Sequence, residues 1–280
     1  MKKMENIMKK ENELNSAMGK YSKVIVAFSG GIDSTLVLDT AVKVLGKENV
    51  IAAIANSELF TDTEFNSAVK LASKFGVKVA EVNLNYLFNE EIRNNRPSSW
   101  YWMKKIFYKK MNELKAEFNA DIVLDGMIMD DNNDFRPGLK ARDEEGIISI
   151  LQLAQIYKVE VRELAERRGL ENWNKVASCS VSSRFPYNTE LTSVLINRVM
   201  KSEAYLRKLG YKTVRVRVQD KTARIEVPVR EMVSLINNMK EINRQLKLYG
   251  FEYITLDLEG FKSGRMNDEL SAGEKSRLVN

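Results

Sequence analysis

The strongest constraint on the fold of this chain is an alternation. Residues 23–29 (KVIVAFS), 49–55 (NVIAAIA) and 77–84 (VKVAEVNL) are short apolar runs, separated by helical patterns over 35–45 and 61–75. Continuous apolar strands joined by helices predict a parallel sheet covered on both faces. A helix over 100–118, a fourth strand over 120–127 and a helix over 160–168 extend the pattern, and residues 5–18 carry apolar side chains at loosely helical spacing. The stretches 130–145 and 172–188 are polar and rich in turn formers, so they read as loops. Then comes a second unit: helix 194–209, a hairpin over 213–227 turning at 220–222, helix 230–248 and strand 251–257. With 280 residues the chain has room for about two domains. The expected class is α/β, a parallel sheet domain over 1–190 followed by a smaller α/β domain over 191–280.

Composition removes whole classes of chemistry. There is no histidine, so a Ser-His-Asp triad, a Cys-His dyad and a histidine-ligated metal are all excluded, and proton transfer falls to carboxylates, amines or tyrosine. One cysteine, Cys179, cannot form an internal disulfide, a zinc cluster or an iron–sulfur site. No apolar run approaches the ~18 residues that a spanning helix needs, and residues 1–20 lack the apolar core of a secretory signal. The expected compartment is therefore cytoplasmic, with the thiol reduced. The 44 basic against 38 acidic side chains leave +6, which favours anionic partners such as nucleotides.

The segment Ser29-Gly30-Gly31-Ile32-Asp33-Ser34-Thr35 leaves an apolar strand and enters a helix. Glycines there admit an anion to the backbone, and a helix N-terminus supplies oriented donors and partial positive charge. Phosphate suits this geometry, with the hydroxyls of Ser29, Ser34 and Thr35 as further donors. Asp33 would repel phosphate unless a cation lies between them, and Mg²⁺ is the natural bridge. A glycine turn in which Asp33 or Ser34 caps the helix is the plainer alternative. The Gly-Lys-Ser/Thr ending of a Walker A loop is missing.

SGGIDS in this position resembles the PP-loop of the ATP pyrophosphatases. That resemblance implies a doubly wound sheet, ATP as substrate, adenylation of a carboxylate or carbonyl oxygen, and release of pyrophosphate. Residues 55–64 (ANSELFTDTE), 99–105 (SWYWMKK), 124–142 (LDGMIMDDNNDFRPGLKAR), 173–187 (WNKVASCSVSSRFPY) and 260–268 (GFKSGRMND) are similar to one branch of that group, the LarE-type sulfur transferases. The implied reaction inserts sulfur into a pyridinium dicarboxylate mononucleotide on the way to the nickel-pincer cofactor of lactate racemase. LarE relatives also suggest a homo-oligomer. A tRNA thiolase or an amide-forming adenylating enzyme is the alternative, although no separate RNA-binding module is visible and a nucleic-acid partner is not expected. Ligands of open parallel sheets lie beyond the strand C-termini. Asp125-Gly126 and Ala55-Asn56-Ser57 accordingly join Ser29, Gly30, Gly31, Asp33 and Ser34 as expected ATP-site residues.

Cys179 lies among Lys175, Ser183, Arg184 and further serines, a polar neighbourhood that could favour thiolate. A persulfide carrier would normally need a second thiol for release, which this chain lacks. Direct donation of the cysteine sulfur, or an external reductant, remains. The resemblance implies the first: Cys179 attacks the adenylated carboxylate, the thioester eliminates, and the protein keeps dehydroalanine.

For the substrate, Thr213–Val218 reads TVRVRV, which sets Arg215 and Arg217 on one strand face with the valines on the other. Given the implied ribose phosphate, the two guanidiniums, together with Lys262 and Arg265, are phosphate candidates. Trp100 is the candidate to stack on the pyridinium, and Lys104 to meet anionic groups. Ser183 and Arg184 are further substrate candidates, and Glu203 and Glu226 are carboxylates that could act as bases or orienting groups.

Overall fold

Val24–Ala27 forms β1, and all four of its side chains are buried, as a strand must be when it pairs on both edges and carries helices on both faces. The computed structural model describes residues 2–175, 179–262 and 264–279. In chain order the elements are α1 (Lys2–Met18), β1, α2 (Ile32–Leu45), β2 (Val50–Ser57), α3 (Asp62–Lys74), β3 (Lys78–Leu84), α4 (Glu90–Arg93), α5 (Ser99–Glu117), β4 (Ile122–Asp125), α6 (Gly138–Glu144), β5 (Ile148–Ser149), α7 (Ile150–Leu153) and α8 (Lys158–Arg167). These are followed by α9 (Ser193–Lys208), β6 (Arg215–Gln219), β7 (Thr222–Glu226), α10 (Met232–Asn237), α11 (Met239–Leu248), β8 (Tyr253–Leu256) and α12 (Ala272–Val279).

The chain divides into two compact units. The first comprises Met1–Asn85, Trp100–Ser178 and the terminal Leu278–Asn280. Its sheet has the order β3-β2-β1-β4-β5 and every pairing is parallel, so the expected α/β class holds. The chain runs outward from β1 through β2 to β3, then returns to the other side of β1 as β4. That reversal opens a crevice at the carboxyl ends of β1 and β4. Val26, Phe28, Leu36, Leu38, Ile54 and Leu124 share one buried core with Leu14 and Met18 of α1, each such side chain contributing about 1.5–3 kcal/mol. α3 starts on a complete capping box, the Thr61 hydroxyl accepting from the Glu64 N–H at 3.2 Å while Glu64 reaches back to the Thr61 N–H.

The second unit comprises Tyr86–Ser99 and Cys179–Arg277. The expected hairpin is present as β6 antiparallel to β7, and β8 joins β7 in parallel. The sequence-based boundary at 190/191 falls inside this unit. The early segment belongs to it because Asn95, buried and in the left-handed region at φ 47°, donates from its amide to the carbonyls of Phe185 (3.2 Å) and Pro186 (2.9 Å).

Two local expectations change. The polar stretch 130–145 is not a continuous loop: it folds into a 3₁₀ turn over Met129–Asn133 and the helix α6. The helix expected over 230–248 breaks at Asn238, whose ψ of 9° departs from helical geometry. No helix among the described residues is long and apolar enough to cross a membrane.

Candidate active site

The turn after β1 needs its first glycine twice over. Gly30 sits at φ 68°, and a Cβ there would lie 3.0 Å from that of Ala68 on α3. Gly31 then starts α2 with no side-chain cap, so neither Asp33 nor Ser34 fills the role that the plainer reading gave them. The loop's acceptors are instead tied inward. Gly31 O accepts the Ser34 hydroxyl at 3.1 Å and the Thr35 hydroxyl at 2.8 Å, while Gly30 O accepts Asn172 Nδ2 at 3.2 Å and Lys175 Nζ at 3.0 Å. Ser34 thus offers an anion its backbone N–H and uses its hydroxyl to shape the loop. An uncapped helix start with its carbonyls turned inward is an anion cradle.

Asp33, in the first turn of α2, holds the ammonium of Lys158 between its two oxygens at 2.8 and 2.7 Å. Burial pushes the Asp33 carboxyl above its ordinary value, and Lys158 recovers only part of that shift. At the end of β4, Asp125 is buried and fully engaged: Tyr108 OH and Ser149 OH donate to its two oxygens at 2.6 Å each, and Met127 N–H adds a third bond. Asp125 is thereby a strut, with Gly126 pressed against the phosphate loop. A Cβ on Gly126 would lie 2.8 Å from Ser34 N and 3.1 Å from Asp33 C. Gly126→Ala is expected to displace the loop backbone, weakening ATP binding by at least about tenfold while costing about 1–3 kcal/mol of stability. Titration calorimetry with ATP, alongside denaturant unfolding, checks both, and unchanged ATP affinity would refute it. Ala55, Asn56 and Ser57 end β2, beside β1 at the same edge of the sheet.

On α5, Trp100 is half-buried and Lys104 Nζ lies 5.0 Å from the centre of the Tyr108 ring. Burial lowers the pKa of Lys104, whereas its neighbour Lys105 is raised by hydrogen bonds to Glu144 and Glu145. Lys105 is therefore a structural ion-pair partner, whereas burial disfavours the charged form of Lys104.

The residues before Cys179, Val176–Ser178, lie outside the described part of the chain. Cys179 itself is exposed. Its Sγ takes a hydrogen bond from Arg184 Nη1 at 3.2 Å and lies 3.3 Å from the Ser183 hydroxyl. The guanidinium is aimed by Glu203, which accepts Arg184 Nε at 2.9 Å and Nη2 at 3.1 Å, and also Arg207 at 2.5 Å and Val216 N–H at 3.1 Å. Desolvation alone would raise the thiol pKa, but Arg184, Ser183 and Arg215 more than reverse it, so the net shift is downward. Glu203 behaves similarly, since burial pushes its carboxyl up and its arginines pull it below the ordinary range. Lys175, the other cation expected beside the cysteine, donates to Gly30 O.

Along β6 the valines are buried and the arginines half-buried, as the alternation predicts. The two guanidiniums have different partners. Arg217 binds Glu226 at 2.5 Å and the Ser183 carbonyl at 2.8 Å, while Arg215 lies over the Phe261 ring at 5.3 Å. Glu226 is fully buried, and Arg265, whose Nε lies 3.6 Å away, also donates to Asp257 and Glu259. Both glutamates hold arginines in place. Tyr108, Ser149, Lys158 and Asn172 in the first unit and Asn95 in the second were not evident from the sequence.

The family model for NAD synthases matches residues 2–101. Across 97% of the chain and 98% of its own length, the pyridinium-3,5-bisthiocarboxylic acid mononucleotide synthase of Lactiplantibacillus plantarum is 53% identical. An uncharacterized protein of Synechocystis is 37% identical over 94% of the chain and 98% of its own length. An ammonia-dependent NAD synthetase of Methanopyrus kandleri is 26% identical over 52% of the chain and 53% of its length.

Proposed function

The chain belongs to the family of the pyridinium-3,5-bisthiocarboxylic acid mononucleotide synthases, the LarE family, and from that membership we propose that it inserts its own cysteine sulfur into a pyridinium carboxylate mononucleotide at the expense of ATP. The observation that carries the sulfur step is the lone thiol, 3.2 Å from a buried guanidinium that a carboxylate holds from behind. The NAD synthase match ends before this cysteine, whereas the 53% identical synthase spans it.

The chemistry divides between the units. The phosphate loop of the first, through Ser29, Gly30, Gly31 and Ser34, takes ATP with Ala55, Ser57 and Gly126 beside it. A substrate carboxylate oxygen attacks the α-phosphate, giving the acyl adenylate and pyrophosphate. Cys179 thiolate then attacks the acyl carbon and AMP leaves. Loss of the Cα proton breaks the Cβ–S bond, so the thiocarboxylate departs with the bonding electrons and dehydroalanine remains. Trp100, Lys104, Ser183, Arg215, Arg217 and Arg265 are proposed to bind the pyridinium and its anionic groups. Glu203 and Glu226 are proposed as positioning residues.

Mg²⁺ fits as a companion of ATP. Among the described residues no three His, Cys, Asp or Glu side chains gather into a ligand set. A metal that takes one carboxylate, several waters and substrate phosphates needs no such set. Asp33, already holding one cation in Lys158, is the carboxylate that would carry it; its chemistry would be to neutralise phosphate charge. We also place the protein in the cytoplasm as a homo-oligomer, an assembly supported by the exposed apolar side chains of Val229, Val233, Ile236 and Met239.

Incubation with ATP, Mg²⁺ and the dicarboxylated pyridinium mononucleotide should release pyrophosphate and AMP and lower the intact protein mass by one hydrogen sulfide, located at Cys179. Product formation without that mass change would eliminate the sacrificial route.

A further inference from the structure

Ser183 and Arg184 lie on one short 3₁₀ segment, Val181–Arg184, and a segment of that length leaves carbonyls that its own backbone cannot satisfy. Side chains from elsewhere in the second unit take them. Asn95 Nδ2 donates to the carbonyls of Pro186 at 2.9 Å, Phe185 at 3.2 Å and Ser182 at 3.4 Å, while Arg217 takes the Ser183 carbonyl at 2.8 Å. Two N–H groups of one amide thus gather three carbonyls.

Asn95 is fitted to that task and to little else. It is fully buried, its backbone sits in the left-handed region that asparagine tolerates, and its Oδ1 has no hydrogen-bond partner among the described residues. An unpaired buried acceptor costs stability, so the NH₂ end is what this position retains. The main chain beside it clamps the same segment: Asn188 N–H donates to the Asn95 carbonyl at 3.1 Å, and Leu191 N–H to that of Arg93 at 2.6 Å.

The segment held in this way makes the surroundings of the thiol. Arg184 Nη1 donates to Cys179 Sγ at 3.2 Å and to the Ser180 carbonyl at 3.0 Å, and the Ser183 hydroxyl lies 3.3 Å from the sulfur. Arg215 of β6 adds positive charge toward the sulfur, while Glu203 of α9, shared with Arg207, stands behind Arg184. Ser183 and Arg184 fall between the carbonyls that Asn95 gathers, so a shift of the turn moves both donors together.

We propose that Asn95 is a positioning residue of the sulfur-transfer site, which holds the Ser182, Phe185 and Pro186 carbonyls so that the turn delivers Arg184 and Ser183 to the Cys179 sulfur. The proposal rests on the reading that Cys179 donates the sulfur. Without the amide the freed carbonyls turn toward other donors, and the bonds to sulfur, being steep in distance and angle, weaken with the movement.

The test uses the full chain with Asn95→Gly, which keeps the left-handed backbone but loses the amide, and Asn95→Ser, which keeps one hydroxyl donor. Arg96→Gln, which removes only the bond from Arg96 to Asn188 Oδ1, is the control in the same loop. Each folded protein is alkylated with iodoacetamide across a pH series, without ATP or substrate, and its melting temperature is measured. The alkylation midpoint should rise in Asn95→Gly toward the ordinary thiol value of about 8.5, lie between in Asn95→Ser, and stay at the wild-type value in Arg96→Gln. Single-turnover thiocarboxylate formation should slow in the same order. A lowered melting temperature with an unmoved alkylation midpoint would show a merely structural asparagine and overturn the proposal, as would failure of both Asn95 variants to fold. Either result leaves the sulfur-donor reading standing, because that reading fails separately, if wild-type protein makes product without losing mass at Cys179.

Discussion

Replacing Cys179 by alanine should abolish thiocarboxylate formation while substrate-dependent exchange of labelled pyrophosphate into ATP continues. The chain has one cysteine, and its remaining sulfur lies in methionine thioethers, which cannot act as thiolates. The side chain is exposed, so its truncation opens no cavity and should cost less than about 1 kcal/mol of stability. Loss of product then reports chemistry and not unfolding. Cys179→Ser separates nucleophile from leaving group, since an oxygen ester would hydrolyse back to the carboxylate with no sulfur transferred. Wild-type protein should make no more than one thiocarboxylate per chain unless a thiol source repairs it. Chromatography of the nucleotide products with each variant checks this. Thiolated nucleotide from Cys179→Ala, in the absence of added sulfide, would reduce the protein to a general adenylating enzyme.

Much of the first unit was legible because its signals are local. A buried parallel strand must be apolar throughout, and β1 and β2 show it; an anion cradle needs glycine after a strand, and Gly30-Gly31 supplies it. β5 was not legible, because two residues, Ile148 and Ser149, carry no periodicity. The polar stretch 130–145 misled because α6 is short and follows a proline. Site partners were harder to find. Lys158 is 125 residues from Asp33, and Asn95 reaches Pro186 across 91 residues; no spacing rule spans such distances. One signal existed: a lysine at a helix start works against the dipole and asks for an anion. The glutamates show the opposite limit. Glu203 and Glu226 were visible as carboxylates, but only their arginine partners reveal that they aim guanidinium groups.

Arg184 is where the cysteine's chemistry and the stability of the second unit meet, so Arg184→Met should alter both. Its guanidinium is bonded to the thiol on one side and bidentately to Glu203 on the other, with both Arg184 and Glu203 side chains 4% exposed. Removing it strands a buried carboxylate, a change that costs about 3–5 kcal/mol in comparable pairs. Arg207 and the Val216 N–H still serve Glu203, which places the expected loss near the lower end. The double variant Arg184→Met, Glu203→Gln should recover part of it by removing the stranded charge. The thiol gives the second readout. Because its pKa is depressed in the folded protein, thiolate contributes stability above the ordinary thiol pKa of about 8.5, and that contribution fades as pH falls through the depressed value. In Arg184→Met the folded and unfolded values draw together and this slope should flatten. Iodoacetamide alkylation of Cys179 should accordingly shift to higher pH and slow at pH 7, since less thiolate is present. Denaturant unfolding from pH 6 to 9 and the pH–rate profile of alkylation measure the two effects independently. An unaltered alkylation profile in a variant that still folds would show that the guanidinium supports the turn without activating the sulfur.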